Sequence, residues 1–162
     1  MDDSDDGTNA RAPRKEDLVR LCRALNEAGA RYVLIGGFAV ISHGGGRTTK
    51  DIDLLIDDGP ENVARVKTAL GILADNAAAD IDNEDVRRYT VVRVADEIVV
   101  DLMGRACGLD YAAASADAEP MEIDGVTVPV ASIRTLIRTK DTFRPSDALD
   151  RQFLEGLLRE EE

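Results

Sequence analysis

Tryptophan is missing from this 162-residue sequence, and tyrosine and phenylalanine supply only three residues each. So few rings leave little material for stacking bases, and Tyr89 and Phe143 are expected to be core or pocket wall. Cysteine occurs twice, at Cys22 and Cys107, without metal-ligand spacing. Both are expected to be free, buried thiols. Histidine occurs once, at His43. No apolar run approaches the roughly 18 residues of a membrane span. The N-terminus also lacks the basic-then-apolar order of a signal peptide, so a cytoplasmic location without a membrane partner is expected. Basic residues are outnumbered, 20 against 32 acidic ones, for a net charge of −12. That balance argues against a broad nucleic-acid-binding face, which needs clustered Lys and Arg. The acid is unevenly spread, however: Asp2, Asp3, Asp5, Asp6, Glu160, Glu161 and Glu162 lie at the two ends, leaving room for a local basic pocket.

The remaining composition, 44% hydrophobic and 32% charged, suits a soluble globular chain of one-domain length. Residues 1–14 read as a disordered acidic leader, and residues 15–162 as a single domain. Leu18, Val19, Cys22 and Leu25 recur at helical spacing until Gly29. Strands are expected over 31–35 and 51–56, with a buried helix from Phe38 between them and a helix after Pro60. Residues 88–94 and 97–102 read as an antiparallel pair joined by Ala95-Asp96. The Ala-rich stretch 104–119 carries no clear period. Asp124-Gly125 marks a type I′ hairpin, Ser132 an N-cap, and Pro145 the start of a last helix. Together these predict an α/β (α+β) domain with a mixed central sheet flanked by helices.

The chemistry concentrates in "IGGFAVISHGGGRTTKDIDLLI", residues 35–56. On a strand, Asp51 and Asp53 point to the same side, because side chains alternate with period two. Two adjacent carboxylates repel unless something neutralises them, and a hard divalent cation such as Mg²⁺ is the natural partner. Gly36-Gly37, at the junction of strand and helix, lets backbone N–H groups approach a phosphate. Arg47 and Lys50 stand just before the aspartates, within reach of a polyphosphate. In "EIVVDLM" Asp101 interrupts an apolar strand, and a buried carboxylate needs a partner. If that strand lies beside 51–56, the three acids converge as in a two-metal phosphoryl-transfer site.

Gly-Gly, about a dozen residues, Asp-x-Asp and a later strand Asp resemble the nucleotidyltransferase superfamily with the DNA polymerase β-like fold. "GGFAVISHGGGRTTKDIDLLI" is similar to its AbiEii/AbiGii toxin-type group, and "LIRTKDTFRPSDALDRQFLEGLL" resembles that group's Lys, Arg-Pro-x-Asp and following Asp. The resemblance covers roughly residues 16–158. It implies a Mg²⁺-dependent enzyme transferring an NMP group from an NTP to a hydroxyl, with a two-metal site. Asp51 and Asp53 would bind metal, Asp101 would be third carboxylate and base, and Gly36 and Gly37 would shape the phosphate turn. Arg47 and Lys140 would contact phosphate, and Asp147 would orient Lys140 or cap the last helix. His43 matches the group's His-Gly; it would orient Asp51 or Arg47, or cap its helix. The acceptor stays open among a tRNA 3′ end, a protein side chain and a small molecule such as an antibiotic. A cognate toxin or antitoxin partner or a homodimer is also implied. Antitoxin-like minimal nucleotidyltransferases carry Gly-Ser and Arg-Gly before Ser-Asp-x-Asp; Gly-Gly and Thr49-Lys50 stand here instead, which sets that branch aside. The rival reading is a non-catalytic interaction module on the same fold, against which the intact Asp51, Asp53 and Asp101 speak.

Overall fold

The computed structural model describes residues 10–140 and 144–161. Helix α1 (Lys15–Glu27) buries Leu18, Leu21, Cys22 and Leu25, the apolar stripe its spacing predicts. Beyond its end Gly29, at φ +70°, takes a left-handed turn that suits glycine. Strand β1 (Tyr32–Ile35), helix α2 (Gly36–Ser42), strand β2 (Asp51–Ile56) and helix α3 (Pro60–Leu70) follow. Part of the expected acidic leader, residues 1–9, lies outside the described residues. Its remainder is tied down: the Arg11 guanidinium donates to both Asp17 oxygens at 2.7 Å, and the Arg11 backbone N–H bonds to the Glu97 carbonyl.

Further along, the structure revises several boundaries. A short helix α4 (Asp85–Arg88) occupies the start of the expected strand at 88–94, so β3 covers only Val92–Ala95. Strand β4 (Val99–Met103) returns antiparallel to it. The stretch at 104–119 holds a miniature hairpin, β5 (Arg105–Ala106) and β6 (Leu109–Asp110), followed by α5 (Tyr111–Ser115). Cys107 and Gly108, both at positive φ, make its turn. Cys107 is therefore exposed, which corrects the expectation of a second buried thiol; Cys22 is buried as expected. Strands β7 (Glu119–Ile123) and β8 (Val126–Val130) flank the predicted turn, with Asp124 at φ 49° and Gly125 at φ 82°. The Ser132 hydroxyl accepts from the Thr135 N–H and caps α6 (Ile133–Thr139), and α7 (Pro145–Glu161) packs against α6.

Six strands form one mixed sheet in the order β3-β4-β2-β1-β8-β7. Two pairings position the site. Parallel β2 and β4 set Asp53 opposite Asp101, and antiparallel β3 and β4 set Arg93 opposite Asp101. Residues opposite each other share a face. Asp51, Asp53, Asp101 and Arg93 thus stand on one side of the sheet. Their neighbours Ile52, Leu54, Val100 and Leu102 enter the core on the other side, each with 0% exposure. A single-residue slip of β4 would turn Asp101 into that core.

Candidate active site

Backbone pairing brings the three acids together. One carboxylate oxygen from each of Asp51, Asp53 and Asp101 lies within 4.8 Å of the other two. Asp53 Oδ1 is buried and accepts no hydrogen bond, an arrangement that costs stability unless a further partner arrives. Burial first, then the charge of Asp101, raises the Asp51 carboxyl above its ordinary value. Asp53 is pushed well above it by burial and then by the charges of Asp51 and Asp101, with Lys140 opposing. An orphaned buried oxygen and three converging hard donors fit a divalent cation such as Mg²⁺.

Gly36 and Gly37 open α2 directly over this cluster. Gly36 has φ +73°, and a Cβ there would overlap Asp53 Oδ2. A Cβ on Gly37 would lie 2.7 Å from Thr49 Cβ. The Thr49 hydroxyl in turn donates to the Asp51 carbonyl at 3.1 Å. The first glycine thus makes space for a carboxylate, and the second makes space for the loop that leads into β2.

A basic wall faces the acids across a cleft of about 430 Å³, lined by Gly37, Arg47, Lys50, Lys140 and Arg144 as well as the three acids. Lys140 is 5% exposed. Its Nζ lies 3.4 Å from Asp147 Oδ1 and 3.2 Å from Asp150 Oδ2. Asp150 also accepts from Arg47, while Asp147 accepts from Arg144 Nε at 2.8 Å. Asp147 and Asp150 sit three residues apart on α7 and face the same way. They fasten one lysine and two arginines to a single helix.

Eight of the ten residues singled out from the sequence line this cleft, and Gly36 adjoins it against Asp53. His43 does neither. It is the C-cap residue of α2, and its Nε2 lies 2.9 Å from the Ala131 carbonyl, past the end of β8. The helix-end role expected as one option is where the structure puts it; the roles orienting Asp51 or Arg47 are corrected. Tyr89 is 61% exposed rather than core or pocket wall, and Phe143 lies outside the described residues.

Arg93 was absent from the sequence reading, while Arg144 and Asp150 entered it only as members of the Arg-Pro-x-Asp motif and its following Asp. Arg93 donates to both oxygens of Asp101, at 3.0 Å each, and to Asp51 Oδ2 at 3.3 Å. A two-residue turn at Ala95-Asp96 would have set Arg93 opposite Ile98. Instead the Asp96 carboxylate accepts the backbone N–H groups of Asp75, Ala77 and Glu97. The resulting three-residue loop, 96–98, shifts Arg93 into line with Asp101. Asp150, three residues after Asp147 on the last helix, had no role assigned; it holds Arg47 and Lys140.

No curated protein sequence matches the chain. Among solved structures, a candidate nucleotidyltransferase (TM1012) from Thermotoga maritima superposes with a TM-score of 0.53 at 15% identity. The match covers 92% of this chain and 97% of that one, and shows a shared fold. Residues 19–141 match the family described as nucleotidyl transferase AbiEii toxin, type IV toxin–antitoxin system. With most of its length matched and an acidic floor set in the corresponding fold, the chain belongs to the AbiEii nucleotidyltransferase family.

Proposed function

We propose that the protein is a Mg²⁺-dependent toxin-type nucleotidyltransferase that moves an NMP group from an NTP to a hydroxyl and releases pyrophosphate. The acceptor is an RNA 3′ end or a protein hydroxyl, and an antitoxin is the cognate partner in the cytoplasm. The observation that carries this reading is the convergence of three carboxylates from two paired strands opposite a cationic wall in one cleft. Asp51, Asp53 and Asp101 would hold the metal, which supplies positive charge to the oxygens entering and leaving phosphorus. Gly36 and Gly37 keep the α2 turn close above β2, so that the nucleotide is bounded on one side by backbone alone. Arg47, Lys50 and Lys140 orient the triphosphate for in-line attack. Asp147 and Asp150 fix the Lys140 ammonium in that position. Asp101 accepts the proton of the attacking hydroxyl at one carboxylate oxygen.

The test incubates the protein with each α-labelled NTP, Mg²⁺, and either total RNA or lysate protein. Label transfer in wild type that falls by about a thousandfold in Asp53→Ala is the expected result. No transfer, together with no Mg²⁺-dependent NTP binding, overturns the proposal.

A further inference from the structure

Arg93 occupies the acids that a metal would use. Its guanidinium engages both Asp101 oxygens and reaches Asp51 Oδ2 at 3.3 Å. The contact follows from register, since Arg93 and Asp101 are direct partners across β3 and β4. It is also asymmetric. The Asp101 side chain is 8% exposed, whereas that of Arg93 is 45% exposed and lines the cleft. The acid is fixed in the sheet; the cation lies on its solvent side.

A planar guanidinium matches a carboxylate in two parallel hydrogen bonds. While both are made, neither Asp101 oxygen has its full lone-pair capacity free for a cation, and Asp51 is partly engaged as well. Asp53 Oδ1, the orphaned oxygen, accepts nothing from Arg93. The three acids are thus unequally prepared: one keeps a buried oxygen without a partner, and two are covered by a resident positive charge.

We propose that Arg93 is a positioning residue that serves as the built-in counter-cation of the acidic triad and competes with the divalent metal for Asp101 and Asp51. Loading the metal displaces the guanidinium from Asp51 and from one Asp101 oxygen, toward the open side of the cleft. Arg93 thereby weakens metal binding in the absence of nucleotide and holds the floor together until substrate arrives. This inference rests on the reading of Asp51, Asp53 and Asp101 as a metal site.

The test is a titration of the nucleotide-free full chain with Mn²⁺, following the electron paramagnetic resonance signal of the free ion. Wild type, Arg93→Gln, Arg93→Lys and Asp53→Asn are compared, each first checked for a cooperative melt. Arg93→Gln is expected to bind Mn²⁺ about fivefold more tightly than wild type, as loss of one competing ion pair allows. Arg93→Lys keeps the charge without the fork and is expected to fall between the two; it decides alone if Arg93→Gln does not fold. Equal or weaker binding in the folded Arg93 variants, with Asp53→Asn weaker than wild type, overturns the inference and leaves the metal site standing. No Mn²⁺ binding by any of the four overturns both.

Discussion

On the floor of the cleft three carboxylates crowd together on two strands, their spacing fixed by backbone hydrogen bonds. On the wall a lysine and two arginines alternate with two aspartates, their spacing fixed by ion pairs among side chains. The wall is balanced within itself: Lys140, 5% exposed, has two acids, and each acid has an arginine. The floor is not balanced, since Asp53 keeps a buried oxygen with no partner. A binding site needs both kinds of construction. Unbalanced charge on a rigid sheet gives affinity for a cation that folding alone does not satisfy. A balanced network holds cations at a set place without leaving them unpaired in a low-dielectric setting.

Breaking the wall is expected to have the larger effect on stability. Lys140→Met leaves Asp147 and Asp150 buried with one arginine each; nucleotidyl transfer should fall by about a hundredfold, as for loss of a phosphate-directed cation. Stability should fall by about 3 kcal/mol, the cost of orphaning a buried charge. Single-turnover rates and chemical denaturation read the two effects.

Neutralising the floor should act in the opposite sense on stability. The Asp51 and Asp53 carboxyls are raised in the folded chain, so folding favours their protonated forms. The stability this lends is fully present below the ordinary carboxylate value, and is lost as pH rises through the raised values. Metal-free Asp53→Asn is therefore expected to melt a few degrees above wild type at pH 8, with the difference closing near pH 4. A thermal melt across pH, with chelator present, checks this. An Asp53→Asn protein less stable than wild type at pH 8 would contradict the account of the floor as unsatisfied.

The smallest effect sharpens the boundary of both regions. His43→Ala removes a ring hydrogen bond to the Ala131 carbonyl and should cost about 1 kcal/mol of stability. Transfer by the folded variant should stay within about twofold of wild type, because the ring faces β8 rather than the cleft.

What could be read in the sequence divides along the same line as floor and wall. Alternation in "DIDLLI" put Asp51 and Asp53 on one face, and the apolar run around Asp101 marked a second buried strand. Parallel pairing of the two was a conditional expectation that the register meets. Arg93 was invisible, because its position depends on the length of a loop held by three backbone N–H groups on Asp96, a long-range interaction that local turn preference does not encode. Lys140 and Asp147 were legible through family resemblance, but their tie to Arg47 through Asp150 joins residues about a hundred positions apart. His43 was left among three roles for a related reason: adjacency to the Gly-rich loop in sequence says nothing about which strand end its ring will meet. Cys107 was taken as buried from residue type alone, while the Cys107-Gly108 turn that exposes it needed the small hairpin to be recognised first.

The two glycines over β2 impose an exchange of volume between distant positions. Thr49 fills the space that a side chain at position 37 would require, and its hydroxyl steadies the Asp51 carbonyl. A serine at 37 would need Thr49 to shift or to give way to a smaller residue. Position 36 has no such remedy, because the neighbour it would displace is Asp53. In one dinucleotide, then, the chain carries a site that can drift by compensation and a site that cannot move without taking the acid with it.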